Sequence, residues 1–103
     1  MTDKPMFKNL VLNAEKASNL LTAMSNEKRL HILCELCEKE LSVGILAVRV
    51  ALSQSALSQH LAKLRALKLV STRRDAQTIY YSVTSPMITP ILMTLENIFP
   101  ARK

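Results

Sequence analysis

With 103 residues the chain can bury one modest core, and 49% apolar residues with 1 Gly, 4 Pro and no low-complexity run exclude a linker or a disordered tail. No stretch approaches the ~20 apolar residues that span a bilayer, and Met1 to Leu10 carries Lys4, Lys8, Asp3 and Pro5 where a signal peptide needs an apolar run. A single cytoplasmic domain over residues 1–103 is therefore expected, without a membrane partner. The net charge of +6 is held unevenly. Basic and acidic residues cancel through residue 40, whereas beyond it Arg49, Lys63, Arg65, Lys68, Arg73, Arg74, Arg102 and Lys103 face only Asp75 and Glu96. A local excess of that kind attracts a polyanion, either nucleic acid or an anionic surface.

Asn9 to Met24 reads as a first helix, because Leu12, Ala17, Leu20, Leu21 and Met24 recur at helical spacing. Ser25 or Asn26 can cap a second, with Leu30, Leu33, Cys34, Leu36 and Cys37 as its buried stripe up to about Lys39. Ser42 offers a cap for a short third helix, Val43 to about Val50, and Ser53 for a fourth that runs to about Lys68. The period then changes from 3.6 to 2. Leu69 to Arg74 and Thr78 to Val83 form a β-hairpin around a turn of Asp75, Ala76 and Gln77. Ser85 and Pro86 break the chain, Thr89 and Pro90 suit the cap and first position of a last helix, and Ile91, Leu92, Leu95, Ile98 and Phe99 supply its apolar stripe. The expected fold is mainly α with a β-hairpin wing, in the order α-α-α-α-β-β-α.

On the fourth helix, Leu57, His60, Leu61, Leu64 and Leu67 fall on one side and Gln54, Ser55, Ser58, Gln59, Ala62 and Arg65 on the other, with Lys63 on the flank. The polar side contains no carboxylate. A helix that enters the major groove needs short or amide side chains near its N-terminus to reach base edges, and it cannot set carboxylates against phosphates. Gln54, Ser55, Ser58 and Gln59 are the candidate base readers, while Lys63, Arg65, Arg73, Arg74 and Gln77 are the candidate backbone contacts. A polar face behind a Ser cap also fits an ordinary surface helix. The short helix before it, the basic hairpin after it and the confinement of the charge excess to this half together select a winged helix-turn-helix that binds double-stranded DNA.

Three runs carry a family resemblance: N-E-K-R-L-H-I-L at 26–33, L-S-Q-S-A-L-S-Q-H-L-A-K-L-R at 52–65 and L-V-S-T-R-R-D-A-Q-T-I-Y-Y at 69–81. They resemble the ArsR/SmtB family, and within it the branch of nodulation, haemolysin and biofilm-growth regulators. The resemblance implies a homodimer joined through its first and last helices, which binds an imperfect palindrome and usually blocks transcription, in some members by counter-silencing another repressor. The apolar stripes of those two helices independently leave surface that so small a monomer could hardly cover.

Metal-binding members place thiolates in the third helix or Asp, His and Glu pairs on the last. The matching positions here are Ser42 and Gly44, with Glu96 alone on the last helix, so neither a metal nor another cofactor is expected. His60 is expected to pack or bond at the core edge, and His31 to lie at the surface or a dimer edge. Cys34 and Cys37, three apart on one helical face, fit either plain packing or a redox role. Cys34 matches a cysteine of redox-responsive members, but their second cysteine near the C-terminus has no counterpart, and a bridge to Cys37 within one helix would be strained. Two other classes remain: an interaction module that binds DNA weakly, and a thiol oxidoreductase built on C-x-x-C. The second lacks both the βαβ context and a helix-start cysteine, so an enzyme is not expected.

Overall fold

The computed structural model describes residues 5–102. The expected single domain extends past them at both ends, and Lys103, counted in the basic excess, lies outside the described residues. Along the chain run α1 (Lys8–Leu12), α2 (Ala14–Met24), α3 (Glu27–Glu38), β1 (Leu41–Ser42), α4 (Val43–Val50), α5 (Gln54–Ala66), β2 (Val70–Asp75), β3 (Thr78–Val83) and α6 (Ile88–Ile98). The helices surround a core in which Ile32, Leu33, Leu46, Val50, Leu57, Leu61, Leu64, Leu69 and Ile88 are fully buried. The strands form one antiparallel sheet in the order β1-β3-β2.

The caps are those the sequence signals. The Asn26 side chain accepts the N–H groups of Lys28 and Arg29, Ser42 that of Ile45, and Ser53 that of Ala56. Each satisfies a donor that the first helical turn leaves without a partner. The first and last helices differ from expectation in their bounds. The first helix is divided at Asn13, whose side chain donates to the Asn9 carbonyl at 2.8 Å alongside its own backbone N–H at 3.0 Å. The last helix starts at Ile88, so Thr89 is inside it and not its cap; the entry is fastened by the Ser85 hydroxyl, which accepts from the Met87 N–H at 3.2 Å. Pro90 remains in the first turn, where its missing N–H costs no hydrogen bond.

The turn between α4 and α5 is closed by Ala51 in the left-handed region, with Leu52 N–H on the Ala47 carbonyl at 3.0 Å and Ala51 N–H on that of Val48 at 3.2 Å. Lys28 reaches across from α3 and donates to the Val50 carbonyl at 2.7 Å, placing a cation at the negative end of α4. The direction of α5 is thus held at its start by Ser53 and along its length by Leu57, Leu61 and Leu64. Truncating one of these leucines to alanine would cost ~2–5 kcal/mol.

The short β1 strand was not expected. Leu41 pairs with Tyr81 and Ser42 with Tyr80, which binds the start of α4 to the hairpin. The buried face of α3 also differs: it consists of Arg29, Ile32, Leu33 and Leu36, while Cys37 is half-buried and Cys34 exposed. Cys34 is therefore not part of the core stripe to which its apolar neighbours assigned it.

Candidate nucleic-acid interface

Helix α5 carries no acidic residue, and Ser53 caps its N-terminus by accepting the Ala56 N–H. Gln54, Ser55, Ser58 and Gln59 are all exposed, whereas Leu57, Leu61 and Leu64 on the opposite side are sealed. Ser55 is partly engaged, its hydroxyl lying 3.3 Å from that of the cap residue Ser53. Between α5 and the hairpin runs an open groove of about 490 Å³, lined by Gln54 and Ser58 from the helix, Gln77 and Thr78 from the hairpin, and Ser42 and Gly44 from the start of α4. Three of the candidate contacts thus share one groove with an N-terminal helix end, a donor-rich, carboxylate-free setting suited to base edges and phosphates.

The hairpin divides the two adjacent arginines. Opposed residues of an antiparallel pair share a face, and the register sets Arg74 against Ile79 and Arg73 against Tyr80. Ile79 lines the groove, so Arg74 lies on the groove side of the wing. Arg73 lies on the reverse side. There its guanidinium makes a two-pronged bond to Glu40, Nη2 to Oε1 at 2.7 Å and Nε to Oε2 at 3.1 Å, and sits 4.6 Å from the centre of the Tyr80 ring. The Arg73 guanidinium in turn holds the Glu40 carboxyl below the usual carboxylate range, mainly through that hydrogen bond. Among the described residues, Arg74 and Arg65 have no carboxylate within ion-pair distance.

Lys63 is separate from the groove and faces α2, beside Arg29. His60 is half-buried and its Nδ1 lies 3.4 Å from Arg29 Nη1, a bond at the core edge as expected. An arginine can only donate, so this contact places the imidazole proton on Nε2. Burial, then the charges of Arg29 and Lys63, push the His60 pKa down. His31 is exposed and lies 3.6 Å from Glu35, which also binds Arg49.

Cys37 Sγ is 3.7 Å from the Thr89 hydroxyl on α6. Although Cys34 is exposed as a residue, partial desolvation of its sulfur pushes the thiol up, reinforced by Cys37 and by the carboxylates of Glu38, Glu96 and Glu35. This is the reverse of the setting that makes a reactive thiolate. Among the described residues no group of three or more His, Cys, Asp or Glu is placed to hold a metal ion, and no helix is long and apolar enough to cross a membrane.

Glu40, Tyr80, Lys28 and Arg29 were not singled out in the sequence. Tyr80 could have been found from the strand register; Glu40 could not, because the two-residue strand that places it beside the hairpin has no sequence signature.

The pattern of the bacterial regulatory proteins of the arsR family matches residues 26–72, from the cap of α3 into the wing. The chain is 60% identical over 84% of its length to the nodulation protein NolR of Rhizobium meliloti, of which it covers 71%. It is 52% identical, again over 84%, to the transcriptional activator HlyU of Vibrio cholerae, of which it covers 81%. The crystal structure of the transcriptional repressor BigR from Xylella fastidiosa superposes with a TM-score of 0.89 at 34% identity, over 95% of this chain and 100% of that one. With the groove-side helix, the basic wing and these relatives together, the chain belongs to the ArsR family, in the branch of NolR, HlyU and BigR, as a winged-helix DNA-binding transcriptional regulator and not an enzyme.

Proposed function

We propose that the protein acts as a homodimer on an imperfect palindrome, in which Gln54, Ser55, Ser58 and Gln59 read bases while Lys63, Arg65, Arg74 and Gln77 hold the backbone, and that its usual effect is repression. The observation that carries this reading is the exposed, acid-free face of α5 opening on the same groove as Gln77, with Arg74 set on that side of the wing by the strand register. Arg73 enters the same assignment indirectly, as the residue that pins the wing. The dimer is supported by shape and surface. The described residues have a radius of gyration of 16.1 Å and measure 61 × 37 × 20 Å, whereas a compact chain of this length would have a radius of about 13 Å. The excess comes with apolar side chains left in water: Val11 is 72% exposed, Leu12 73%, Ile98 59% and Phe99 69%. These residues lie in or beside α1 and α6, the two ends of the chain, and a second copy would cover them.

Selection of bound duplexes from random DNA, with sedimentation equilibrium on the free protein, tests the proposal. Two half-sites about one turn, ~34 Å, apart and a mass of two chains are expected. A monomer on a single half-site would overturn it. A second reading, that oxidants or sulfane sulfur acting on Cys34 and Cys37 loosen DNA binding, is favoured by the exposure of Cys34. A Cys34→Ser, Cys37→Ser variant that still loses DNA on treatment with polysulfide, as the wild type does, would end it.

A further inference from the structure

Arg29 is the most deeply buried cation described, 9% exposed, and among the described residues no carboxylate lies within ion-pair distance of it. Its Nε donates to the Ala23 carbonyl at 2.6 Å, Nη2 to that of Thr22 at 3.5 Å, and Nη1 meets His60 Nδ1 at 3.4 Å. These bonds use three of the five N–H groups and leave two. The carbonyls are the end of α2, whose dipole offers roughly half a negative charge, so a substantial part of the guanidinium charge remains unneutralised. A buried charge in that condition is costly unless something pairs with it.

Arg29 borders an open cavity of about 400 Å³ between α2 and α5, whose polar lining is Asn19, Thr22, Arg29 and Lys63. Two cationic residues, an asparagine and a threonine therefore border one space, and no carboxylate lines it. We propose that this cavity is an oxyanion site that takes a phosphate group, with Arg29 offering its two free N–H groups in the forked geometry that suits such an anion, Lys63 a second charge, and Asn19 and Thr22 neutral hydrogen bonds. Its occupant ties α2 to the recognition helix. The phosphate comes either from a small phosphate-bearing molecule or from the duplex backbone at the edge of the major groove. The first source is independent of the DNA-binding assignment, and the second rests on it.

Arg29 also latches α2, so the test leaves it in place and uses Lys63→Met and Asn19→Leu. Inorganic phosphate is titrated into the DNA-free dimer against potassium chloride of equal ionic strength, following the backbone amide resonances of Asn19, Thr22 and Ala66. Saturable shifts with phosphate alone, weakened at least about tenfold by either variant, are expected from the removal of one charge-assisted hydrogen bond. Shifts that track ionic strength equally in both salts, or that neither variant alters, overturn the site. With a selected duplex bound, phosphate shifts that persist and an unchanged duplex affinity in Asn19→Leu identify a free ligand. Displacement of phosphate by the duplex, with duplex affinity weakened in Asn19→Leu at an unchanged salt slope because an amide neutralises no phosphate, identifies a backbone phosphate.

Discussion

The division of labour in the wing gives the sharpest prediction, because it separates two neighbouring arginines that charge alone cannot distinguish. Arg74 lies on the groove side without a carboxylate partner among the described residues, whereas Arg73 lies on the reverse side in the grip of Glu40 and Tyr80. Each phosphate neutralised contributes about −0.9 to the slope of log K against log salt, so removing one arginine–phosphate pair changes the affinity ratio between ~50 and ~200 mM salt by about 3.5-fold. Arg74→Ala is expected to remove that full increment and to weaken selected and scrambled duplexes alike. Arg73→Ala is not a clean control, since it uncovers the Glu40 carboxylate close to the wing and adds a repulsion. The Glu40→Gln, Arg73→Ala pair removes both charges and should leave the slope unchanged. Fluorescence anisotropy on a labelled duplex at several salt concentrations measures all three. If the double variant loses as much slope as Arg74→Ala, the face assignment from strand register is wrong.

Three further outcomes follow from the site. Gln54→Ala should reduce discrimination between a selected site and its single-base variants by ~1–3 kcal/mol, roughly 5- to 150-fold, with the salt slope preserved; an equal loss on scrambled DNA would show that Gln54 touches only the backbone. His60 has its folded pKa pushed below the ordinary 6.5 by burial and by Arg29 and Lys63, so the unfolded chain binds the proton more readily. The contribution of His60 is therefore fully present above about 6.5 and lost as the pH falls through the lowered folded value, and His60→Gln should flatten the urea midpoint relative to wild type between about pH 5 and 8. Cys34 in a Cys37→Ser background should show a pH profile of iodoacetamide alkylation displaced above that of free cysteine, because burial and the carboxylates of Glu38, Glu96 and Glu35 still oppose its thiolate. A profile displaced downward would refute this electrostatic reading.

What the sequence disclosed depended on whether a residue type announces its conformation. Serines and an asparagine before apolar runs marked the starts of α3, α4 and α5, because a side-chain oxygen at that point satisfies a free N–H. Helix ends were harder. Among the described residues the left-handed ones are Ala51, Lys68 and Ala76, none of them the glycine that usually signals such a position. The fourth helix was accordingly expected to reach Lys68, whereas it stops at Ala66 and Lys68 reverses the chain into β2. The single glycine, Gly44, sits inside α4 with open space where a Cβ would lie, so it marks no turn at all. In the interface, Gln54, Ser58 and Gln77 meet as expected because helix period and hairpin position fix them. Glu40 depended on a strand too short to show any alternation.

The misplacement of Cys34 and the position of Arg29 have a common cause. On α3 the apolar residue types cover a wide arc, from Ile32 round through Leu36, Leu33, Cys37 and Leu30 to Cys34, and any part of it could have been the core face. The structure centres the buried face on Leu36, with Arg29, Ile32 and Leu33 around it, which leaves Cys34 about 160° from that centre. No count of hydrophobicity would choose an arc that contains an arginine over one that contains two cysteines. Arg29 is buried because the end of α2 presents carbonyls that only a long, planar, multiply donating side chain can reach while still meeting His60 on α5. A charge accepted into the core at that junction connects α2, which follows the proposed dimer helix α1, with the helix proposed to read DNA. Any anion that pairs with Arg29 and Lys63 therefore acts on both helices at once, and the effect of Lys63→Met on DNA binding should include this coupling as well as the missing phosphate bond.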